Sequence, residues 1–132
     1  KDYQQLQVIR YMTREMSFPV EIIPAPTLRE ESGLAISSRN QYLSTEDRVT
    51  AAEIHRTLQM MRDSYLQGIA AEQIEQKAYE RLQSFGFDVD YAELRSAELG
   101  SLARAQSSKR VALIAARLGL TRLIDNIEFE SR

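Results

Sequence analysis

Two groups of residues in this 132-residue chain have types and spacings suited to chemistry on an anion. The first is the opening stretch Lys1-Asp2-Tyr3-Gln4-Gln5. Side chains three and four apart share a helix face, so a helix starting near Tyr3 gathers Lys1, Asp2 and Gln5 at its N-terminal end. That end carries unpaired N–H groups and partial positive charge, and Lys1 adds a full cation, which together suit phosphate or carboxylate. The second group is Ser37-Ser38-Arg39-Asn40, shortly after Gly33. Two hydroxyls, loop N–H groups and a guanidinium can bind a polyphosphate, the Arg spreading its charge over several oxygens. Either group also suits an ordinary solvated surface, and spacing alone does not separate the two readings.

The elements that must hold these groups are legible from apolar periodicity. Leu6, Ile9, Met12 and Met16 form one stripe, which predicts a helix from Tyr3 to Phe18 ending before Pro19. Val20 to Ile23 is a β-branched run closed by Pro24 and Pro26, which predicts a short buried strand ending in a loop. Thr27 to Leu43 has no sustained period and is expected to be a long functional loop. Ser44-Thr45-Glu46-Asp47 is a capping sequence, and the stripe Ala51, Ile54, Leu58, Met61, Tyr65 predicts one helix up to a Gly68 cap. A second helix is expected over Ala70 to Ser84, closed by Gly86. Val89 to Leu94, Val111 to Ala116 and Thr121 to Phe129 read as strands, the last two joined by a hairpin at Gly119. The fold class is therefore α+β, helices followed by a small antiparallel sheet.

Composition narrows the function. Seventeen Lys and Arg against nineteen Asp and Glu leave a net charge of -2, too little concentrated positive field for general attraction to nucleic acid or anionic membrane. Cysteine is absent and His55 is the only histidine, which excludes thiolate nucleophiles, Cys-ligated zinc and His-rich metal sites. No apolar run reaches the length of a membrane span and the start lacks a signal-peptide pattern, so a cytoplasmic location is expected. The chain opens without Met directly into a helical pattern, as a segment of something longer would.

Other residues that invite a role have plainer explanations. His55 has no ligand partners at suitable spacing and reads as a structural histidine. Met60-Met61 fill core, Glu93 and Arg95 lie on a strand's solvent face, and Glu128 and Glu130 read as exposed acids.

Three segments in order carry a closer likeness. Lys1-Asp2-Tyr3-Gln4-Gln5, then Gly33-Leu34-Ala35-Ile36-Ser37-Ser38-Arg39-Asn40 with Tyr42-Leu43, then Ala115-Ala116-Arg117-Leu118-Gly119 with Thr121-Arg122-Leu123-Ile124-Asp125-Asn126-Ile127, resemble the pantoate-β-alanine ligase family. The resemblance spans nearly the whole chain but only the C-terminal half of that family's protein. It implies a Rossmann-like nucleotide-binding domain ending over residues 1–27, contributing its last helix and strand, and a C-terminal lid domain over 28–132. It also implies ATP and Mg²⁺ as co-substrate and metal, with pantoate and β-alanine joined to pantothenate through a pantoyl adenylate.

By position, the resemblance makes Lys1 and Asp2 the end of the family's ATP-contacting turn and Gln5 its pantoate-contacting glutamine. Leu28 takes the place of a residue whose backbone meets adenine. Ile36, Ser37, Ser38 and Arg39 match the family's Met-Ser-Ser-Arg or Leu-Ser-Ser-Arg stretch, with Ile36 departing from Met or Leu. The His-x-Gly-His motif, the acidic Mg²⁺ contacts and the main homodimer surface of the family lie upstream of anything in this chain, which leaves no catalytic residue and no metal ligand here. Two hypotheses follow: half of an ATP-dependent ligase, or, for the segment alone, a non-catalytic folding or interaction module.

Overall fold

Asp2 starts the first helix as expected of a short acidic cap, its carboxylate accepting from the Gln5 N–H at 3.0 Å, and α1 runs Tyr3–Glu15. The structure is a computed structural model and describes residues 1–131. The helix stops short of Phe18, at Met16, and Ser17 takes a positive φ of 52°. Its apolar stripe is uncovered: Met12 is 44% and Met16 60% exposed, and only Tyr3 is buried.

The expected strand at Val20 to Ile23 does not form. The segment belongs to no ladder, and Val20 and Ile23 are both exposed. A strand exists through hydrogen bonds to a neighbour, and none of the three strands described below pairs with it. A β-branched run is thus insufficient by itself to make a strand.

Beyond it the long loop has internal order. Arg29 and Ala35 form an isolated antiparallel bridge around Gly33, and Ser38–Tyr42 is a 3-10 helix. Ser44 caps the next helix, accepting from the Asp47 N–H at 3.1 Å. The single helix expected from the Ala51 to Tyr65 stripe is two, α2 over Thr45–Ala51 and α3 over Glu53–Leu66, which meet at Ala52. After Gly68, α4 spans Ala71–Ser84.

The sheet is a three-stranded antiparallel meander in the order β1 (Asp88–Ser96), β2 (Lys109–Leu118), β3 (Thr121–Glu130). Leu118 pairs with Thr121, leaving Gly119-Leu120 as a two-residue turn. Gly119 has φ 61°, the positive value that the first turn position of this hairpin type requires. β2 is central and buried from Val111 to Ala116. On one face Ala112, Ile114 and Ala116 join Leu58, Ile74 and Leu82 of the helices in the main core. On the other, Val111 and Leu113 pack with Tyr3. The first turn of α1 therefore seals the far side of the sheet, which places Lys1 beside β3.

Candidate functional site

Lys1 and Arg39 come from opposite ends of the first forty residues and arrive close enough to act on each other. Partial burial, and then the Arg39 guanidinium, lower the Lys1 ammonium from the usual lysine range, with Asp125 and Asp2 opposing. Ser37 joins Lys1 around a small void of about 10 Å³ that Asn40, His55 and Asp125 also line. A cation beside a hydroxyl, with a second cation near enough to lower its pKa, offers a place for an anion.

The loop carrying Ser37 to Arg39 is braced from several sides. Its base is a small hairpin in which the Ile36 N–H donates to the Leu28 carbonyl at 2.9 Å and the Glu30 N–H to Leu34 at 2.8 Å. Its tip needs Gly33: φ is 93°, and a Cβ there would fall 2.6 Å from His55 Cδ2. Asn40, only 4% exposed, donates from Nδ2 to the Ala35 carbonyl at 3.0 Å, while its backbone carbonyl accepts from Arg48. Ser37 caps the 3-10 helix by accepting from the Arg39 N–H at 3.2 Å, which leaves its hydroxyl hydrogen free to donate outward. Arg39 reaches across to the Arg122 carbonyl of β3 at 3.2 Å.

The sequence-derived candidates thus divide. Lys1, Ser37 and Arg39 gather, and Asp2 serves α1 as its cap. Leu28 and Ile36 bond to each other through the backbone while both side chains are exposed. Gln5 and Ser38 are exposed, and no hydrogen bond links Gln5 to the Lys1 group among the described residues.

Residues that periodicity does not mark hold the site together. The buried Asp125 carboxylate accepts from both Arg29 nitrogens, at 2.6 and 3.1 Å, and Arg29 also donates to the Gly33 and Asn126 carbonyls. Asn126 Nδ2 donates to the Lys1 carbonyl at 2.6 Å. Glu128 is not the idle surface acid its spacing suggests, because it accepts from the Tyr3 hydroxyl at 2.9 Å. Desolvation, together with that contact, pushes the Tyr3 phenol upward, and the Ala97 carbonyl, 2.6 Å from the same oxygen, shares its one hydrogen with Glu128. One signal was available: Asp125 shares strand parity with the buried Leu123 and Phe129, and an acid on a core-facing position demands a partner.

His55 packs against Gly33, its Cδ2 2.6 Å from where a Cβ would stand. Burial, and next Arg29, lower its pKa from the ordinary value of 6.5. Its Nδ1 and the Asn40 Oδ1 are buried without a hydrogen-bond partner among the described residues. No three His, Cys, Asp or Glu side chains cluster within reach of one ion among the described residues. No helix among them is long and apolar enough to cross a membrane.

Comparison with known proteins adds a family. The family model described as pantoate-beta-alanine ligase matches residues 1–128. A pantothenate synthetase of Stenotrophomonas maltophilia is 58% identical over 129 residues, which are 98% of this chain and 46% of that protein. One from Xanthomonas oryzae pv. oryzae is 54% identical over the same shares. Among solved structures, pantothenate synthetase from Thermus thermophilus matches with a TM-score of 0.87 at 41% identity, over 96% of this chain and 46% of that one. The pantoate-beta-alanine ligase from Francisella tularensis, complexed with beta-gamma ATP and beta-alanine, matches with a TM-score of 0.65 at 26% identity, over 96% and 40%. The chain therefore spans just under half the length of the curated relatives it matches.

Proposed function

The chain belongs to the pantoate-β-alanine ligase family, and from that premise we propose that it supplies the lid and one wall of the ATP site of an enzyme making pantothenate. The observation that carries the proposal is that Lys1 and Ser37 line one void, with Arg39, two residues beyond Ser37, held to β3 through the Arg122 carbonyl. A triphosphate answers such a cluster, because its charge offsets the repulsion between the two cations and its oxygens accept from ammonium, guanidinium and hydroxyl.

In this reading a carboxylate oxygen of pantoate forms a bond to the α-phosphorus of ATP, the bond to the bridging oxygen breaks, and pyrophosphate leaves with the electron pair. The amine of β-alanine then attacks the acyl carbon, loses a proton, and AMP departs. Neither step needs an enzyme nucleophile, in keeping with the absence of cysteine. What the first step needs is alignment, together with donors that meet the charge growing on the leaving pyrophosphate. Lys1, Ser37, Ser38 and Arg39 take that task, and Gln5 orients pantoate through an amide that both donates and accepts. The family resemblance sets Leu28 and Ile36 against adenine, and their mutual bond leaves the Leu28 N–H and the Ile36 carbonyl as the groups they can offer it. Mg²⁺ finds no ligand set among the described residues, so no step is assigned to a metal held by this chain.

The division into the end of a nucleotide-binding domain over 1–27 and a lid over 28–132 is part of the same proposal. It is supported by the uncovered stripe of α1 and by a main core whose members all lie at Leu34 or beyond. The test is AMP and pyrophosphate release by the whole protein. Sustained AMP release that requires ATP, pantoate and β-alanine together supports the reading, and a protein that consumes no ATP with those substrates overturns it.

A further inference from the structure

We propose that Asn126 is a positioning residue for ATP activation, fixing the main chain at Lys1 to the same strand that anchors the phosphate loop. The inference rests on the reading above, in which Lys1 and Arg39 hold the ATP phosphates.

Four residues of β3, in strand order, reach the elements around the site. The Arg122 carbonyl accepts from Arg39. Asp125 takes the Arg29 guanidinium and through it the Gly33 turn. Asn126 donates to the Lys1 carbonyl at 2.6 Å. Glu128 accepts from the Tyr3 hydroxyl. Successive side chains of a strand point to opposite faces, so Asp125 and Asn126 are placed to grip segments on either side of the sheet. One strand thereby sets the spacing between the two cations, although 37 residues of chain separate Lys1 from Arg39.

The amide is chemically suited to the task. Lys1 precedes the Asp2 cap and lies outside the α1 hydrogen-bond ladder, whose first bond runs from the Leu6 N–H to the Asp2 carbonyl. The Asn126 Nδ2–H serves the Lys1 carbonyl in place of a backbone donor. An aspartate of the same shape has no such donor and sets a carboxylate against a carbonyl oxygen.

The experiment measures pantoyl adenylate formation in single turnover by the whole protein with ATP and pantoate, β-alanine being omitted. Asn126→Asp and Asn126→Ala are each made in the unsubstituted background and in Lys1→Ala. A cation displaced by a fraction of an ångström to one ångström should slow adenylation about 10-fold or more with the thermal midpoint unmoved, and separate steady-state assays with β-alanine present should leave its KM unmoved. If Asn126 acts through Lys1, the same substitutions in Lys1→Ala should cost less than about 2-fold, the coupling expected of residues in contact. Full adenylation in both Asn126 variants, or equal losses in the two backgrounds, overturns the proposal. An unsubstituted protein that forms no adenylate overturns the ligase reading instead, and this inference falls with it.

Discussion

Asp125 and Arg29 form a bidentate ion pair across 96 residues of chain, with N···O distances of 2.6 and 3.1 Å, the carboxylate side chain 4% exposed and the guanidinium 20%. The pair joins β3 to the turn that precedes the Ser37 to Arg39 loop, so it ties the sheet to the candidate site.

Truncating one partner leaves the other buried without compensation. Asp125→Ala should destabilise the fold by about 3 kcal/mol or more, because the Arg29 charge stays desolvated. The double substitution Arg29→Met with Asp125→Leu should cost less than Asp125→Ala alone. Urea unfolding of the three proteins checks this ordering, and a double variant less stable than the single one contradicts it.

Gly33 is constrained twice, by its φ of 93° and by His55 Cδ2 at 2.6 Å from where a Cβ would stand. Gly33→Ala should therefore cost about 1 to 3 kcal/mol. Shortening the neighbour with His55→Ala should recover the steric part of that cost and leave the backbone part. Thermal melts of the single and paired variants separate the two, and an additive pair would mean that the imidazole already yields.

His55 gives the fold a pH dependence near neutrality. Its folded pKa lies below the ordinary 6.5, chiefly through burial, with Arg29 and Arg62 adding repulsion and Asp125 opposing them. The unfolded chain then binds the proton more readily, so stability is complete above about 6.5 and declines as pH falls from there toward the folded pKa. As the only histidine, it is the side chain whose ordinary pKa falls in this window. His55→Gln should flatten the dependence of the melting temperature between about pH 7 and 5.5, and an unchanged slope would assign it elsewhere.

The isolated chain should make no pantothenate, since it offers one wall of the proposed site and the segment matching the first half of its relatives is not in it. Assay of the purified 132-residue chain with ATP, pantoate and β-alanine checks this, and sustained AMP release would contradict it.

Much of the architecture is legible in local sequence because local physics causes it. Ser44 caps α2, Gly68 and Gly86 follow helix ends with positive φ, and Gly119 turns the hairpin. The break at Ala52 is not legible, since alanine favours helix on both sides of it. Val20 to Ile23 and the α1 stripe mislead in a related way, as β-branching and periodicity report a capacity for burial, and no element among the described residues covers them. In the site, Ser37 and Arg39 can be picked out by chemical type. Arg29, Asp125 and Asn126 cannot, because their roles depend on pairings between residues about a hundred positions apart.

The central claim is that Arg39 faces phosphate charge that grows toward the transition state. Single-turnover adenylate formation in the whole protein carrying Arg39→Ala tests it most directly, with pantoate affinity titrated alongside. The account predicts a rate lower by about 10²-fold or more with pantoate binding nearly unchanged, by analogy with removal of one donor from an oxyanion site. A variant that forms adenylate at the unsubstituted rate, or that loses rate only in step with pantoate affinity, would contradict it.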